Sequence, residues 1–210
     1  MVKQAYTVKQ IKALLTEVSK CKKCPNLKPW NRFPDNAHGK LNSNAMIVSA
    51  APGTKSLQQG KFWSGQAGQR IRKILSNCNG ELEDMFYLTD TVKCGLPNDR
   101  KPSVPEVSSC KEYLTREITI LNPRYILVFG KVAFQYFVGL TDNFKPKQRF
   151  AFTGMTVQHN DRGYKLVEFD KFTLIPLLHP SHANQFMTYR TYEQHLKEVF
   201  TLIIGSKSIE

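Results

Sequence analysis

No apolar run in this chain approaches the roughly 20 residues that a helix needs to cross a bilayer, so a helical membrane span is excluded and no membrane partner is expected. A cleavable secretion signal is missing as well. Val8, Ile11, Leu14, Leu15 and Val18 recur at helical spacing among polar residues instead of forming one short apolar block. A cytoplasmic location is the expectation. Cysteine is sparse, with five residues in all, and in a reducing compartment so few argue against a disulfide framework. No internal repeat, domain linker or block of like charge interrupts the chain. Its 210 residues are therefore expected to form one domain, 1–210, acting as a monomer. Acidic residues are also few. Seventeen Asp and Glu stand against thirty Lys and Arg, a net charge of +13. Such a surplus favours a polyanion, most often nucleic acid, as partner; a solvated basic surface is the plainer alternative.

What is present is a regular alternation of apolar strands with amphipathic helices. Residues 8–20 read as a helix. The run 44–50 reads as a buried strand that ends in Ala51-Pro52-Gly53. A helix over 69–75 follows, then a strand over 85–92, a helix over 105–121 and a nearly all-apolar strand over 124–130. A helix over 131–138 comes next, then a weakly alternating stretch (148–169) suited to an antiparallel excursion. A strand over 172–178 and a helix over about 190–203 close the pattern. The fold class is therefore α/β: a central, mainly parallel four-stranded sheet flanked by helices on both faces. Ligands of such sheets bind beyond the carboxyl ends of the strands. Four features fall on that edge: Ala51-Pro52-Gly53, Asp90, Gly130-Lys131 and His179-Pro180-Ser181.

Cys21 and Cys24 form C-x-x-C followed by Pro25, while Cys94 and Cys110 lie far downstream. A zinc ribbon prefers a second C-x-x-C, and a thioredoxin-like pair sits between a strand and a helix. The spacing suits an iron–sulfur cluster better, with zinc as the alternative. Such a site would clip the N-terminal helix to the sheet, away from the catalytic edge. Cys78, in a turn-like stretch, reads as an ordinary free thiol.

In this order, several motifs make the chain resemble the family 4 uracil-DNA glycosylases, the type that carries a [4Fe–4S] cluster. They are Cys21-Lys-Lys-Cys24, Ser49-Ala-Ala-Pro-Gly53, Gly60-Lys-Phe-Trp-Ser-Gly-Gln-Ala-Gly68, Leu88-Thr-Asp-Thr-Val-Lys-Cys94, Arg100-Lys-Pro102, Glu106-Val-Ser-Ser-Cys110 and His179-Pro180-Ser181. The resemblance runs from about Cys21 to about Leu202 and implies a uracil-DNA glycosylase-like fold. It also implies a [4Fe–4S] cluster at Cys21, Cys24, Cys94 and Cys110, with DNA as partner. The implied reaction flips a base out of DNA and hydrolyses its N-glycosidic bond to leave an abasic site. Trp63, at the family's Phe position, would stack on the base, and the backbone of Ala51 to Gly53 would approach it. His179 would donate to the departing base. Lys93, Lys131 and Ser181 would meet phosphates, and Phe186 and Met187 would wedge into the gap. No lysine stands out as a lyase, so a monofunctional enzyme is expected.

Three departures from the resemblance bear on the substrate. The family's Glu is Ala50 here. The acidic residues that follow the motif are replaced by Thr54-Lys55-Ser56-Leu57, a change expected to leave the pocket open near C5 of the base. The family's Asn in T-N-x-V-K-C is Asp90. An Asn amide matches the O4 acceptor and N3–H donor of uracil, whereas an ionised Asp only accepts and suits the N4 amino group of cytosine. These departures point to a cytosine modified at C5, such as the hydroxymethylated or glucosylated cytosine of phage DNA, and to a defence role. Asp90 is also a candidate for positioning the attacking water. The alternatives are ordinary uracil repair and a catalytically inactive DNA-binding relative.

Overall fold

The computed structural model describes residues 2–27, 35–138, 144, 166–181 and 189–205. The first helix, α1 (Val2–Ser19), leads into the Cys21–Cys24 turn. Strand β1 (Ala45–Ser49) is followed by a short helix α2 (Thr54–Gln59) and by α3 (Gln66–Ser76). A single turn, α4 (Leu82–Met85), precedes β2 (Tyr87–Asp90). Then come α5 (Val104–Leu121), β3 (Tyr125–Phe129), α6 (Lys131–Val138), the two-residue β4 (Val167–Glu168), β5 (Thr173–Leu177) and α7 (Tyr189–Gly205).

The strands form one sheet in the order β2-β1-β3-β5-β4. The first four run parallel, as expected, and β4 adds a fifth, antiparallel strand. That addition lies within the weakly alternating stretch. Its pairing is confined to Val167 with Leu174 and Glu168 with Thr173. Pro176 of β5 lies beyond this pairing, opposite Val128 of β3. The missing N–H of the proline therefore costs no ladder hydrogen bond on the outer side.

Both sheet faces are covered, because successive strand residues point to opposite sides. Ile47, Leu88, Leu127 and Ile175 pack with Ile71, Ile74 and Leu75 of α3 and with Leu196, Val199 and Phe200 of α7. Met46, Val48, Ile126 and Leu174 face Ile11 and Leu15 of α1, Leu114 and Ile118 of α5, and Phe134 of α6. Helix α5 starts sharply for a local reason. Ser103 and Glu106 form a capping box, and Arg100 holds the Glu106 carboxylate at 2.5 and 2.9 Å. No described helix is long and apolar enough to cross a membrane.

One polar knot lies inside this apolar frame. Glu117 of α5 is fully buried. It accepts from Tyr87 Oη at 2.9 Å, from Thr89 Oγ1 at 3.0 Å and from Lys93 Nζ at 2.6 Å. The Lys93 ammonium spends its other two protons on Thr89 Oγ1 and the Asp90 carbonyl, both at 2.7 Å. Removing one partner of a buried ion pair leaves an uncompensated charge. Glu117→Ala is therefore expected to lower the unfolding free energy by about 3–5 kcal/mol, read as a shifted midpoint in urea denaturation.

Candidate active site

The parallel register brings the ends of β1, β2, β3 and β5 to one edge. Ser49 pairs with Asp90 across β1 and β2, and Phe129 pairs with Leu177 across β3 and β5. The turns that follow enclose a cavity of about 250 Å³ lined by Ser49, Ala51, Gly53, Trp63, Asp90 and His179, among others. Residues from four separate stretches of sequence thus meet as the strand order required.

Asp90 is the last residue of β2 and is 2% exposed. Its Oδ1 accepts a short hydrogen bond from the Ser49 hydroxyl. Its Oδ2 is buried with no partner among the described residues. Burial pushes the carboxyl up to about 7, and the nearby Glu117 charge adds to the rise. The Ser49 bond and the Lys93 ammonium oppose it. Near neutrality this group can thus exist in both protonation states. Ser49 opens the Ser49-Ala-Ala-Pro-Gly53 motif, which by itself assigns this hydroxyl no partner. The strand register makes it the Asp90 partner, and nothing local signals that pairing.

Trp63 is held in left-handed backbone geometry (φ 57), which is uncommon for a bulky residue. Its neighbours enforce it. Ser64 N–H donates to Ser56 Oγ at 3.1 Å, and Arg72, paired with Glu83, donates to the Phe62 carbonyl at 2.9 Å. A Cβ at Gly68 would lie 1.7 Å from the Trp63 carbonyl oxygen, so α3 reaches this loop only because residue 68 has no side chain. The indole meets Phe129 edge-on at a centroid distance of 5.2 Å and stacks with His179 at 5.8 Å. Its Nε1 is, like Asp90 Oδ2, buried without a partner. These are the two such side-chain atoms among the described residues, and both belong to residues lining the cavity.

His179 follows β5 at the exposed lip of the cavity. The side chain as a whole stays accessible. Its ring loses hydration against neighbouring groups, and this desolvation lowers its pKa below that of an ordinary imidazole. At neutral pH the neutral ring, carrying one N–H, is therefore favoured. Gly130 (φ +88) passes beneath it, where a Cβ would come within 3.1 Å of the His179 Cβ.

Ala50 lines the cavity with a methyl group, and the carboxylates come from elsewhere. Besides Asp90, Asp99 reaches the rim. Asn98 and Asp99 both adopt left-handed geometry (φ 53 and 51). The turn thereby brings Asp99 Oδ1 to Thr54, whose N–H and hydroxyl donate to it at 2.9 and 2.8 Å. Asp99 belongs to none of the sequence motifs. The Pro97-Asn98 step was the available turn signal. Residues 54–57, expected to leave the pocket open near C5 of the base, form the start of α2, with Lys55 exposed at the rim.

Two expectations need correction. Lys93 does not present its ammonium for a phosphate contact: the side chain is 6% exposed and all three donors are used inside the protein. The position follows a strand whose end is buried against α5, so the charge was drawn inward to Glu117. The cysteine site is also not remote from the catalytic edge. Cys94 follows the carboxyl end of β2, and Ala51 of the cavity wall packs against the apolar group containing Cys24, Cys94 and Cys110. Lys131 opens α6 directly after Gly130, and Ser181 follows His179-Pro180 as a partly exposed bend. Phe186 and Met187 lie outside the described residues.

None of the five cysteines is in a disulfide. Cys94 and Cys110 are buried, Cys24 packs against them, and Cys21 lies beside Tyr113. Burial pushes the Cys110 and Cys24 thiols up, and the charges of neighbouring cysteines push in the same direction. Four soft sulfur donors gathered in this way are of the kind that hold an iron–sulfur centre or zinc. Among the described residues no group of three or more His, Cys, Asp or Glu side chains is arranged to hold a metal ion.

The contact between Gly68 and Trp63 generates a test. Gly68→Ala must displace the Trp63 loop, and misplacement of about 1 Å at a reacting site costs on the order of 10²-fold in rate. A drop of that size is expected in single-turnover base release, with helical circular dichroism retained.

Comparison with known proteins agrees with this geometry. The model of the uracil DNA glycosylase superfamily matches residues 37–201. A type-4 uracil-DNA glycosylase of Saccharolobus solfataricus is 31% identical over 169 residues, covering 80% of this chain and 74% of that protein. Type-4 enzymes of Sulfurisphaera tokodaii and Pyrobaculum aerophilum are 34% and 35% identical, over 61% and 55% of this chain. Each of those two matches spans 58% of the relative's own length. With the sheet-edge cavity, the buried carboxylate and the His179 lip in place, the chain belongs to the uracil DNA glycosylase superfamily and is a DNA glycosylase.

Proposed function

We propose that this glycosylase acts as a monomer on DNA and releases a cytosine modified at C5, leaving an abasic site. The observation that carries the reading is Asp90. Its Oδ1 is committed to Ser49, and its Oδ2 is buried without a partner beside the cavity. A buried polar atom left unpaired costs ~1–3 kcal/mol, and a bound base recovers that cost by supplying the partner. Ionised Oδ2 accepts from the N4 amino group of cytosine, where uracil would present the repelling O4. The unpartnered Trp63 N–H offers one donor to an acceptor oxygen on the substrate. The exposed rim at Thr54 and Lys55 is the side assigned to the C5 substituent. DNA of phages that modify cytosine in this way is the proposed target, in a defence role.

In the reaction the flipped base stacks on Trp63 and lies against the backbone of Ala51 and Gly53. Water adds to C1′ as the C1′–N1 bond breaks, and the bonding pair leaves with the base. Neutral His179 donates its N–H to the oxygen on which that charge collects. The proton of the attacking water is lost to solvent as the oxygen bonds to C1′, while ionised Asp90 Oδ2 stays on N4. Lys131 and Ser181 are assigned to flanking phosphates. Cys21, Cys24, Cys94 and Cys110 are assigned to a [4Fe–4S] cluster, whose contribution is to tie the segment after α1 to β2 and α5. The second reading, uracil release, is favoured by the names of the relatives. It would use protonated Oδ2 as a donor to O4.

Base release from oligonucleotides carrying uracil, cytosine, 5-hydroxymethylcytosine or its glucosylated form separates these readings. Release of a modified cytosine is expected to rise as pH passes about 7, since the ionised carboxylate is required. Uracil release through the protonated form would instead fall over the same range. Asp90→Asn restores an amide, and the ratio of uracil to modified-cytosine release should rise by ~10⁴-fold. Wild-type release of uracil alone would sink the cytosine reading, and absence of any abasic product would sink both. The purified chain should be brown and contain iron, both lost in Cys110→Ser. Zinc in place of iron would overturn the cluster assignment.

A further inference from the structure

We propose that Arg70 and Tyr192 are positioning residues for His179, acting as a two-sided clamp on the backbone carbonyls that flank it. The proposal rests on the reading of His179 as the donor to the leaving base. The segment after β5 has an unusual problem of support. Pro180 lacks an N–H, so the chain on the far side of His179 has one backbone donor fewer to anchor it. Its carbonyls take up that task. Leu177 C=O accepts from Gly130 N–H at 2.7 Å, which ends the β3–β5 ladder. Leu178 C=O then accepts from the Tyr192 hydroxyl at 2.8 Å. Pro180 C=O accepts from Arg70 Nη1 at 3.1 Å. Donors from two helices thus grip the residues immediately before and after His179.

Both donors are well supported. Tyr192 of α7 is 8% exposed and packed in the same core as Leu196 and Val199. A buried Tyr hydroxyl needs a hydrogen-bond partner, and this one finds it in the Leu178 carbonyl. Arg70 lies on α3, which packs beside α7, and its positive charge acts on the Tyr192 hydroxyl, so the two donors are electrostatic neighbours. Gly130 beneath His179 and Trp63 across its ring leave the imidazole little other freedom. Clamping matters because His179 stands at an exposed lip, where a loop residue without such ties would sample many positions. Donation to a leaving group needs one geometry within a few tenths of an ångström.

The test uses single-turnover base release from oligonucleotides carrying uracil and 5-hydroxymethylcytosine. The variants are Tyr192→Phe, Arg70→Met, Arg70→Lys and His179→Ala, with Tyr192→Phe and Arg70→Met repeated in the His179→Ala background. Tyr192→Phe and Arg70→Met are each expected to lower the rate constant at saturating enzyme by roughly ten- to a hundredfold, with little change in half-saturating concentration. Arg70→Lys, which keeps a donor, should recover part of that loss. In the His179→Ala background neither substitution should reduce the rate further, because the residue they position is gone. Wild-type rates in Tyr192→Phe and Arg70→Met overturn the clamp while leaving the glycosylase reading intact. An equal additional loss in the His179→Ala background also overturns it, since the effect would then run through general stability. A His179→Ala variant as fast as wild type removes the assigned role of His179, and the clamp falls with it.

Discussion

The placement of a carboxylate at the buried end of β2 is the constraint on which the rest of this site depends. Asp90 can occupy that position only because its surroundings are organised on both sides. Ser49 holds one oxygen from the neighbouring strand. Lys93 holds its carbonyl from below and is itself neutralised by Glu117. The Lys93–Glu117 pair thus links the last turn of β2 to α5, the helix that also carries Cys110. A charge cluster of this kind adds little net stability by itself, since desolvation offsets most of its Coulomb energy. Its effect is to give the carboxyl end of β2 one arrangement, with one Asp90 oxygen satisfied and the other left for a ligand.

The opposite wall solves a different physical problem. A buried aromatic side chain and an exposed imidazole must both line the cavity without filling it. Trp63 is held by a strained backbone, which Ser56, Arg72 and the bare Cα of Gly68 make tolerable. His179 is approached closely by Gly130 and Trp63. Two glycines therefore serve the site by what they lack. Each lets a neighbouring element come nearer than any side chain would permit. Trp63 and Asp90 are buried in the cavity wall, while the rim at Thr54 and Lys55 is exposed.

Much of this was legible from the chain itself. The alternation of apolar strands with amphipathic helices signalled four parallel strands, and the turn residues after them marked the edge where the cavity lies. Asp90, Trp63, His179, Ala51 and Gly53 were all marked as candidates and all line that cavity. The antiparallel β4 was only hinted at, because two residues are too few for a period to show. Lys93 was misread. A lysine between a strand and a cysteine carries no local sign that a glutamate 24 positions away will take it into the interior. Asp99, and the pairing of Ser49 with Asp90, gave no sign for the same reason, since their partners Thr54 and Asp90 are distant in the chain.

The sequence by itself determined the layer architecture, the order of the strands' motifs and the chemistry available at the sheet edge. These depend on local periodicity and residue type, which short stretches carry alone. Only the tertiary structure decided which polar groups are satisfied and which are left over. Ser49 with Asp90, Lys93 with Glu117, and Arg70 with Pro180 are pairings set by strand register and helix packing across 24 to 110 residues of chain. The free Asp90 Oδ2 and Trp63 Nε1 emerge only after all those pairings have been made. The binding chemistry of the pocket is what remains once the interior has been satisfied, and no local stretch of sequence contains that remainder.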